Sequence, residues 1–191
     1  MSKLILIGGL AGSGKSSLGK LLARRLGYAY LDKDTLTREL VDALVVEAGS
    51  EVGPGDRDTD IYRDRVRPHE YACFMNTIAE NVELGVSTIA TAPFISEMND
   101  ADWIEDMTEM AEDHGASVHF IWMNCDIPIT KNRITSRNAR RDQIKLSIWR
   151  AYEAFAGDVS LPVHPVRVFD NSPEQSLIRI SEKVLHDLVA P

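Results

Sequence analysis

Eight residues near the amino terminus constrain this chain more than any other stretch. Gly9-Leu10-Ala11-Gly12-Ser13-Gly14-Lys15-Ser16 is a glycine, four spacers and Gly-Lys-Ser, and it follows the apolar run Leu4-Ile5-Leu6-Ile7 closely. The pattern predicts a strand that feeds straight into a tight loop, with a helix starting near Ser13. Glycines admit backbone torsions closed to other residues, so successive N–H groups can turn toward one anion while the helix adds its positive N-terminal end. The expected ligand is a nucleoside triphosphate cradled by Gly9 through Ser17. In such a loop Lys15 reaches the β- and γ-phosphates, and the hydroxyl of Ser16 ligates Mg²⁺.

At 191 residues, 44% hydrophobic and 26% charged, the chain can bury one sizeable core, so residues 1–191 are read as a single domain. A net charge of −8 argues against nucleic acid or an anionic membrane as partner, leaving room only for a local basic groove. No apolar stretch approaches the roughly 20 residues of a membrane span. Leu4 to Ala11 is read as a first strand and not a secretory segment, because the glycine-rich loop occupies the cleavage position. Cys73 and Cys125 lie far apart without ligand spacing, and the five histidines are scattered. These point to reduced thiols and structural histidines in a cytoplasmic protein, monomeric or homodimeric.

Short apolar runs alternate with segments of helical period, the signature of a parallel sheet covered on both faces. Strands are expected over Leu4–Ile7, Tyr28–Leu31, Ser87–Thr91, Ser117–Met123 and Val166–Phe169. Helices are expected over Gly14–Leu26, Thr35–Glu47, Pro68–Leu84, Ala101–His114 and Pro173–Val189. Two stretches break the rhythm. Gly49–Arg67, rich in Gly, Asp and Arg, reads as an irregular insert, and Ile127–Trp149 reads as a strongly basic helix.

Asp32-Lys33-Asp34 ends the second expected strand, the edge at which open α/β sheets bind ligands. Asp32 there orients Mg²⁺ through water. Asp34 either accepts a proton from an acceptor hydroxyl or caps the helix at Thr35, and Arg38, one turn on, holds the acceptor or balances charge. Lys131, Arg133, Arg137, Arg140, Arg141 and Lys145 are opposed within their span only by Asp142. Arg133 with Arg137, and Arg137 with Arg141, are four apart and would share a helix face. Such a cluster serves either as an arginine-bearing lid over transferring phosphate or as a solvated helix paired with the acidic stretch Asp100–Asp113.

These residues resemble the kinase branch of the phosphate-loop proteins, more narrowly the kinase fold of phage polynucleotide 5′-kinase and its small-molecule relatives. The features that carry the likeness are the loop Gly9–Ser16, Asp34 followed by Arg38, and Arg133 with Arg137 before a helix holding Trp149 and Tyr152. The first half is similar to shikimate and gluconate kinases, which end the second strand in Asp-x-Asp. The resemblance implies a three-layer α/β P-loop NTPase fold of the nucleoside/nucleotide kinase kind, with a five-stranded parallel sheet, an acceptor-side insert at 49–67 and a lid at 127–145. It implies ATP and Mg²⁺ as cofactors, Asp34 activating the acceptor hydroxyl with Arg38 its neighbour, and Arg137 contacting the transferred phosphate. After the last strand, Asp170 and Asn171 become base contacts or, with Ser172, caps of the final helix.

Departures narrow the reading. The third strand runs Ile89-Ala90-Thr91-Ala92-Pro93-Phe94 without the carboxylate of a motor ATPase, and no Asn-Lys-x-Asp run reads guanine. Thr91 sits either beside the phosphates or as an ordinary strand residue. The insert mixes Arg57, Tyr62, Arg63, Arg65 and Arg67 with Asp56, Asp58, Asp60 and Asp64, which suits a small polar, polyhydroxylated or partly cationic acceptor better than a phosphate backbone. Glu97 and Trp103 are read as a surface carboxylate and a helix anchor. The expected activity is transfer of the γ-phosphate of ATP to a hydroxyl of a small molecule. A polynucleotide or nucleotide 5′-hydroxyl kinase and a regulatory nucleotide-binding protein are the rivals.

Overall fold

In the computed structural model, β1 (Ser2–Gly8) is buried on both faces at the centre of a five-stranded parallel sheet. The structure describes residues 1–172 and 177–189, without the side chains of Arg140 and Val189. The strand order is β2 (Ala29–Asp32), β3 (Thr88–Thr91), β1, β4 (Ala116–Asn124), β5 (Arg167–Asp170). Ile7 is in register with Thr91 of β3 and Ile121 of β4. The carboxyl ends of the three central strands therefore finish along one edge, where the glycine-rich loop begins.

Period-two alternation divides the core into two layers. Leu4, Leu6, Phe120 and Trp122 pack on one side against Phe74, Ile78 and Val82 of α3 (Arg67–Glu83) and Ala111 of α4 (Ala101–Asp113). Ile5, Ile7, Ile121 and Met123 pack on the other against Leu18 and Leu22 of α1 (Lys15–Leu26) and Ile180, Val184 and Leu188 of α8 (Leu177–Val189). Trp103 of α4 lies between Phe94 and Phe120, with ring centroids 5.5 and 6.0 Å away, and anchors its helix. Among the described residues no helix is long and apolar enough to cross a membrane. Both cysteines are free.

Element bounds differ from the sequence expectation at three informative places. α2 (Lys33–Glu47) starts at Lys33 and not at Thr35, because Asp32, not Asp34, is its N-cap and accepts from Thr35 N at 2.9 Å. The insert is not irregular throughout. Tyr62–Val66 forms a π-helical turn running into α3, since Tyr62 and Val66 bury against Val41 and Val45 of α2. The basic segment is not one helix. α5 (Ile127–Arg137) ends at Asn138, whose left-handed φ of 45° turns the chain out, and a 3₁₀ turn at Arg140–Asp142, α6 (Gln143–Ser147) and α7 (Trp149–Asp158) follow. Arg137 and Arg141 consequently do not share a helix face. The 173–176 part of the expected last helix lies outside the described residues, as does the Arg140 side chain.

Gly19 marks the closest approach of α1 to the sheet, where an added Cβ would stand 2.7 Å from both Thr91 Cγ2 and Tyr30 Cε2. Alanine would gain about 1 kcal/mol in helix propensity, but overpacking this contact costs about 1–3 kcal/mol. Gly19→Ala should therefore lower the urea unfolding midpoint. A raised midpoint would mean that α1 can lift from the sheet freely.

Candidate active site

Gly14 is the N-cap of α1 in a left-handed conformation, φ 97°, with no side-chain cap. The first N–H groups of the helix are thus left open to an incoming acceptor atom. A Cβ at Gly14 would come within 2.2 Å of Asn171 Nδ2, which donates to the Ser13 carbonyl at 2.8 Å. Arg133 braces the same loop, donating to the carbonyls of Asn171 at 3.1 Å and Gly12 at 3.3 Å. The Ser13 hydroxyl is buried without a hydrogen-bond partner among the described residues. Lys15 Nζ donates to the Leu10 carbonyl at 3.2 Å. Desolvation by the loop brings its pKa down to about 8, with Asp34 opposing and Arg137 and Arg141 adding to the effect. An ammonium so placed gains most when an anion arrives.

Two cavities meet on this loop. One, of about 430 Å³, is bordered by Gly12, Gly14, Arg133, Asn171, Ser172 and Leu177. The other, of about 460 Å³, lies toward Asp34, Arg57, Arg67, Tyr71 and the face of α7. Lys15, Ser16 and Arg137 line both.

Beneath their junction, the Asp32 carboxylate accepts from Ser16 Oγ at 2.9 Å, Thr91 Oγ1 at 2.9 Å and Tyr30 OH at 3.2 Å. Burial and neighbouring Asp34 push its pKa up, but the hydroxyls of Thr91 and Ser16 and the Thr35 N–H hold it below the usual carboxylate range. A hydroxyl and an ionised carboxylate in contact form the all-oxygen donor pair that suits Mg²⁺, which takes few protein ligands and completes its shell with phosphate and water. Thr91 thus belongs to the polar floor of the site.

Asp34 borders the second cavity and contacts Lys33 Nζ at 3.2 Å and the Arg141 guanidinium. Burial would raise its pKa, yet Lys33, Arg141 and Lys15 together hold it well below the ordinary range. Lys33 in turn meets Glu70 at 2.7 Å, and Glu70 accepts from Thr37 Oγ1 and Tyr62 OH, both at 2.6 Å. The Lys33 and Glu70 side chains are almost fully buried. Sequence reasoning passed over this network. A lysine between two aspartates was its visible trace, whereas Glu70, on α3, carries no local signal.

The other expected residues divide clearly. Arg137 is bidentate to Asp142, at 2.5 and 2.7 Å, and Lys145 pairs with Asp58 at 2.8 Å. These partners, with Asp34, stand where the alternative reading of the basic segment placed Asp100–Asp113. Glu97 is not a surface carboxylate: its side chain is 13% exposed and bound to Arg67 at 2.5 Å, and the guanidinium stacks 4.1 Å from the Tyr71 ring centroid. Arg38 is exposed on α2 and lines neither cavity. Arg65 donates to the Ala48 carbonyl outside the site. Asp170 is exposed and accepts from Ser172 N and Oγ, while Asn171 is buried against the loop.

Removing Glu70 would strand the Lys33 ammonium in a nearly dry environment, a change that typically costs about 3–5 kcal/mol. Glu70→Ala should unfold at markedly lower denaturant, and the Lys33→Met, Glu70→Met pair should recover much of the loss. Equal stability of Glu70→Ala and the native chain would remove the network from the support of Asp34.

Known proteins are similar to this chain in sequence and in fold. A shikimate kinase from Ruegeria pomeroyi is 25% identical over 142 residues, covering 73% of this chain and 60% of that protein. This chain thus spans less than two thirds of that relative's length. A cytidylate kinase from Roseiflexus castenholzii is 46% identical over 63 residues, 30% of this chain and 27% of that protein. The crystal structure of a gluconokinase from Sinorhizobium meliloti has the same fold, with a TM-score of 0.60 and 19% identity over 97% of this chain and 91% of that one. The family model described as an AAA domain matches residues 4–157, and the chain belongs to that family, among the P-loop kinases.

Proposed function

We propose that the chain transfers the γ-phosphate of Mg²⁺·ATP to a hydroxyl of a small molecule. The observation that supports this most directly is the meeting of two cavities on Lys15, Ser16 and Arg137, with Asp34 on one side only. Phosphoryl transfer needs a donor and an acceptor brought to a shared point from opposite sides, and positive charge around it. In this reading the cavity beside Asn171 takes the nucleotide, and the cavity beside Asp34 takes the acceptor.

Each residue then has a physical task. The open N–H groups of α1 and the Lys15 ammonium bind the phosphates, and Arg137 offers a planar guanidinium to charge that spreads over the transferring group. Ser16 and Asp32 would hold Mg²⁺, which when bound would neutralise phosphate charge. Asp34, ionised at neutral pH, receives the hydroxyl proton as the new O–P bond forms. A carboxylate held at low pKa suffices because a loose transition state calls for proton acceptance late. Acceptor-side cations that already have carboxylate partners, Arg57 with Asp42, Arg67 with Glu97 and Lys145 with Asp58, weigh against a polynucleotide backbone there.

Asp34→Asn should lower acceptor-dependent ADP release by 10²-fold or more while leaving Mg²⁺·ATP affinity within a few-fold of native. Full retention of transfer by this variant would favour a nucleotide-binding protein whose acceptor chemistry lies elsewhere. Lys15 supplies a pH signature. Its pKa of about 8 in the free protein must rise when phosphate neutralises its surroundings, so nucleotide binding at pH 8.5 should take up a proton. At pH 6.5 the group is protonated in both states and this uptake should vanish. Calorimetry in buffers of different ionisation enthalpy reads the difference, and Lys15→Met should abolish it.

A further inference from the structure

One wall of the acceptor-side cavity is apolar and has no part in the charge chemistry of the transfer. Ile148, Ala151, Tyr152 and Phe155 turn into that cavity with the spacing of a single helix face. Ile148 is 48% exposed and Phe155 49% exposed. The aromatic rings form a row, with Trp149 to Tyr152 centroids 5.3 Å apart and Tyr152 to Phe155 6.3 Å apart. Ile95 and Pro93, from the loop after β3, add apolar surface to the same cavity. Large apolar side chains left wet inside a concave site gain free energy only when a ligand covers them. A polyol cannot do so. Away from the phosphate loop, by contrast, charged groups of the cavity are already paired: Arg141 with Asp34, Lys145 with Asp58, Arg67 with Glu97.

We propose that the acceptor is an amphipathic alcohol, its hydroxyl directed to Asp34 and its aromatic or branched apolar body covering Ile148, Tyr152 and Phe155. This assignment rests on the phosphotransfer reading and narrows its substrate class away from the polyhydroxylated acceptor that the insert alone suggests. The step is a simple displacement. The alcohol oxygen bonds to the γ-phosphorus, the bond from that phosphorus to the β,γ-bridging oxygen breaks, ADP leaves, and the hydroxyl proton passes to Asp34. The product is a phosphate monoester of an apolar alcohol.

The test uses the full chain with two matched series. Benzyl alcohol, 2-phenylethanol and 3-phenylpropanol, against glycerol, erythritol and glucose, are titrated calorimetrically in the presence of Mg²⁺ and a non-hydrolysable ATP analogue. ADP release from Mg²⁺·ATP is followed in parallel. Aryl-alkanol affinity should rise roughly fourfold per methylene, and polyols should not saturate at the same concentrations. Phe155→Ser should flatten the series and Phe155→Leu should restore most of it, with affinity for the nucleotide analogue showing that each variant is folded. Polyol binding equal to or tighter than aryl-alkanol binding, insensitivity of the series to Phe155→Ser, or binding by neither series would overturn the assignment. Aryl alkanols that bind through Phe155 without stimulating ADP release would uphold the ligand class and count against the phosphotransfer reading instead.

Discussion

The Asp32 carboxylate is the point on which the site's geometry depends. It is the N-cap of α2, the acceptor for Ser16 at the start of α1, and the partner of Thr91 at the end of β3. Three elements far apart in sequence are therefore fixed relative to one another by one ionised group. Its hydrogen bonds come from hydroxyls and a backbone N–H, which stabilise the charge without neutralising it. The carboxylate keeps its charge where a divalent cation would use it. Because the cap fixes where α2 begins, it also fixes the position of Asp34, two residues on.

Support for Asp34 comes from below and from across the cleft. Lys33 and Glu70, both almost fully buried, form the floor, while Arg141 reaches it from beyond the break at Asn138. A buried ion pair gives little net stability, but it tolerates few alternative arrangements, since every misplacement leaves a charge without a partner. Here that intolerance bears on a residue exposed to the cavity. The glycine-rich loop is held in a comparable way, by Asn171 and Arg133 from two distant segments.

What could be read from the sequence follows the range of the interactions involved. The sheet, its order of elements and the loop were legible because period-two alternation and glycine placement are local, as Leu4 to Ile7 and Gly9 to Gly14 illustrate. Asp32 and Asp34 were legible as a pair, but which of them caps α2 depends on a single backbone contact. The break after Arg137 was missed because an asparagine in the left-handed region is weakly signalled beside a strong run of helix-compatible residues. Arg38 was expected at the site from its distance to Asp34 along a helix, yet the face of α2 that turns inward is the one carrying Thr37, Val41 and Val45, which meet Glu70 of α3 and the turn at Tyr62–Val66. Glu70, Glu97 and the apolar face of α7 were not legible, since each acquires its significance from residues tens of positions away.

The pairing of Arg141 with Asp34 also bears on how such a protein behaves when idle. With its carboxylate already engaged by a guanidinium and a lysine, Asp34 meets a stray water entering the cleft as a paired group. In the proposed reaction, an acceptor must loosen that contact before its own oxygen can be activated. Spontaneous loss of the nucleotide's terminal phosphate to solvent would then be suppressed by the resting ion pair itself, and a molecule that fills the cleft would be the trigger that releases it.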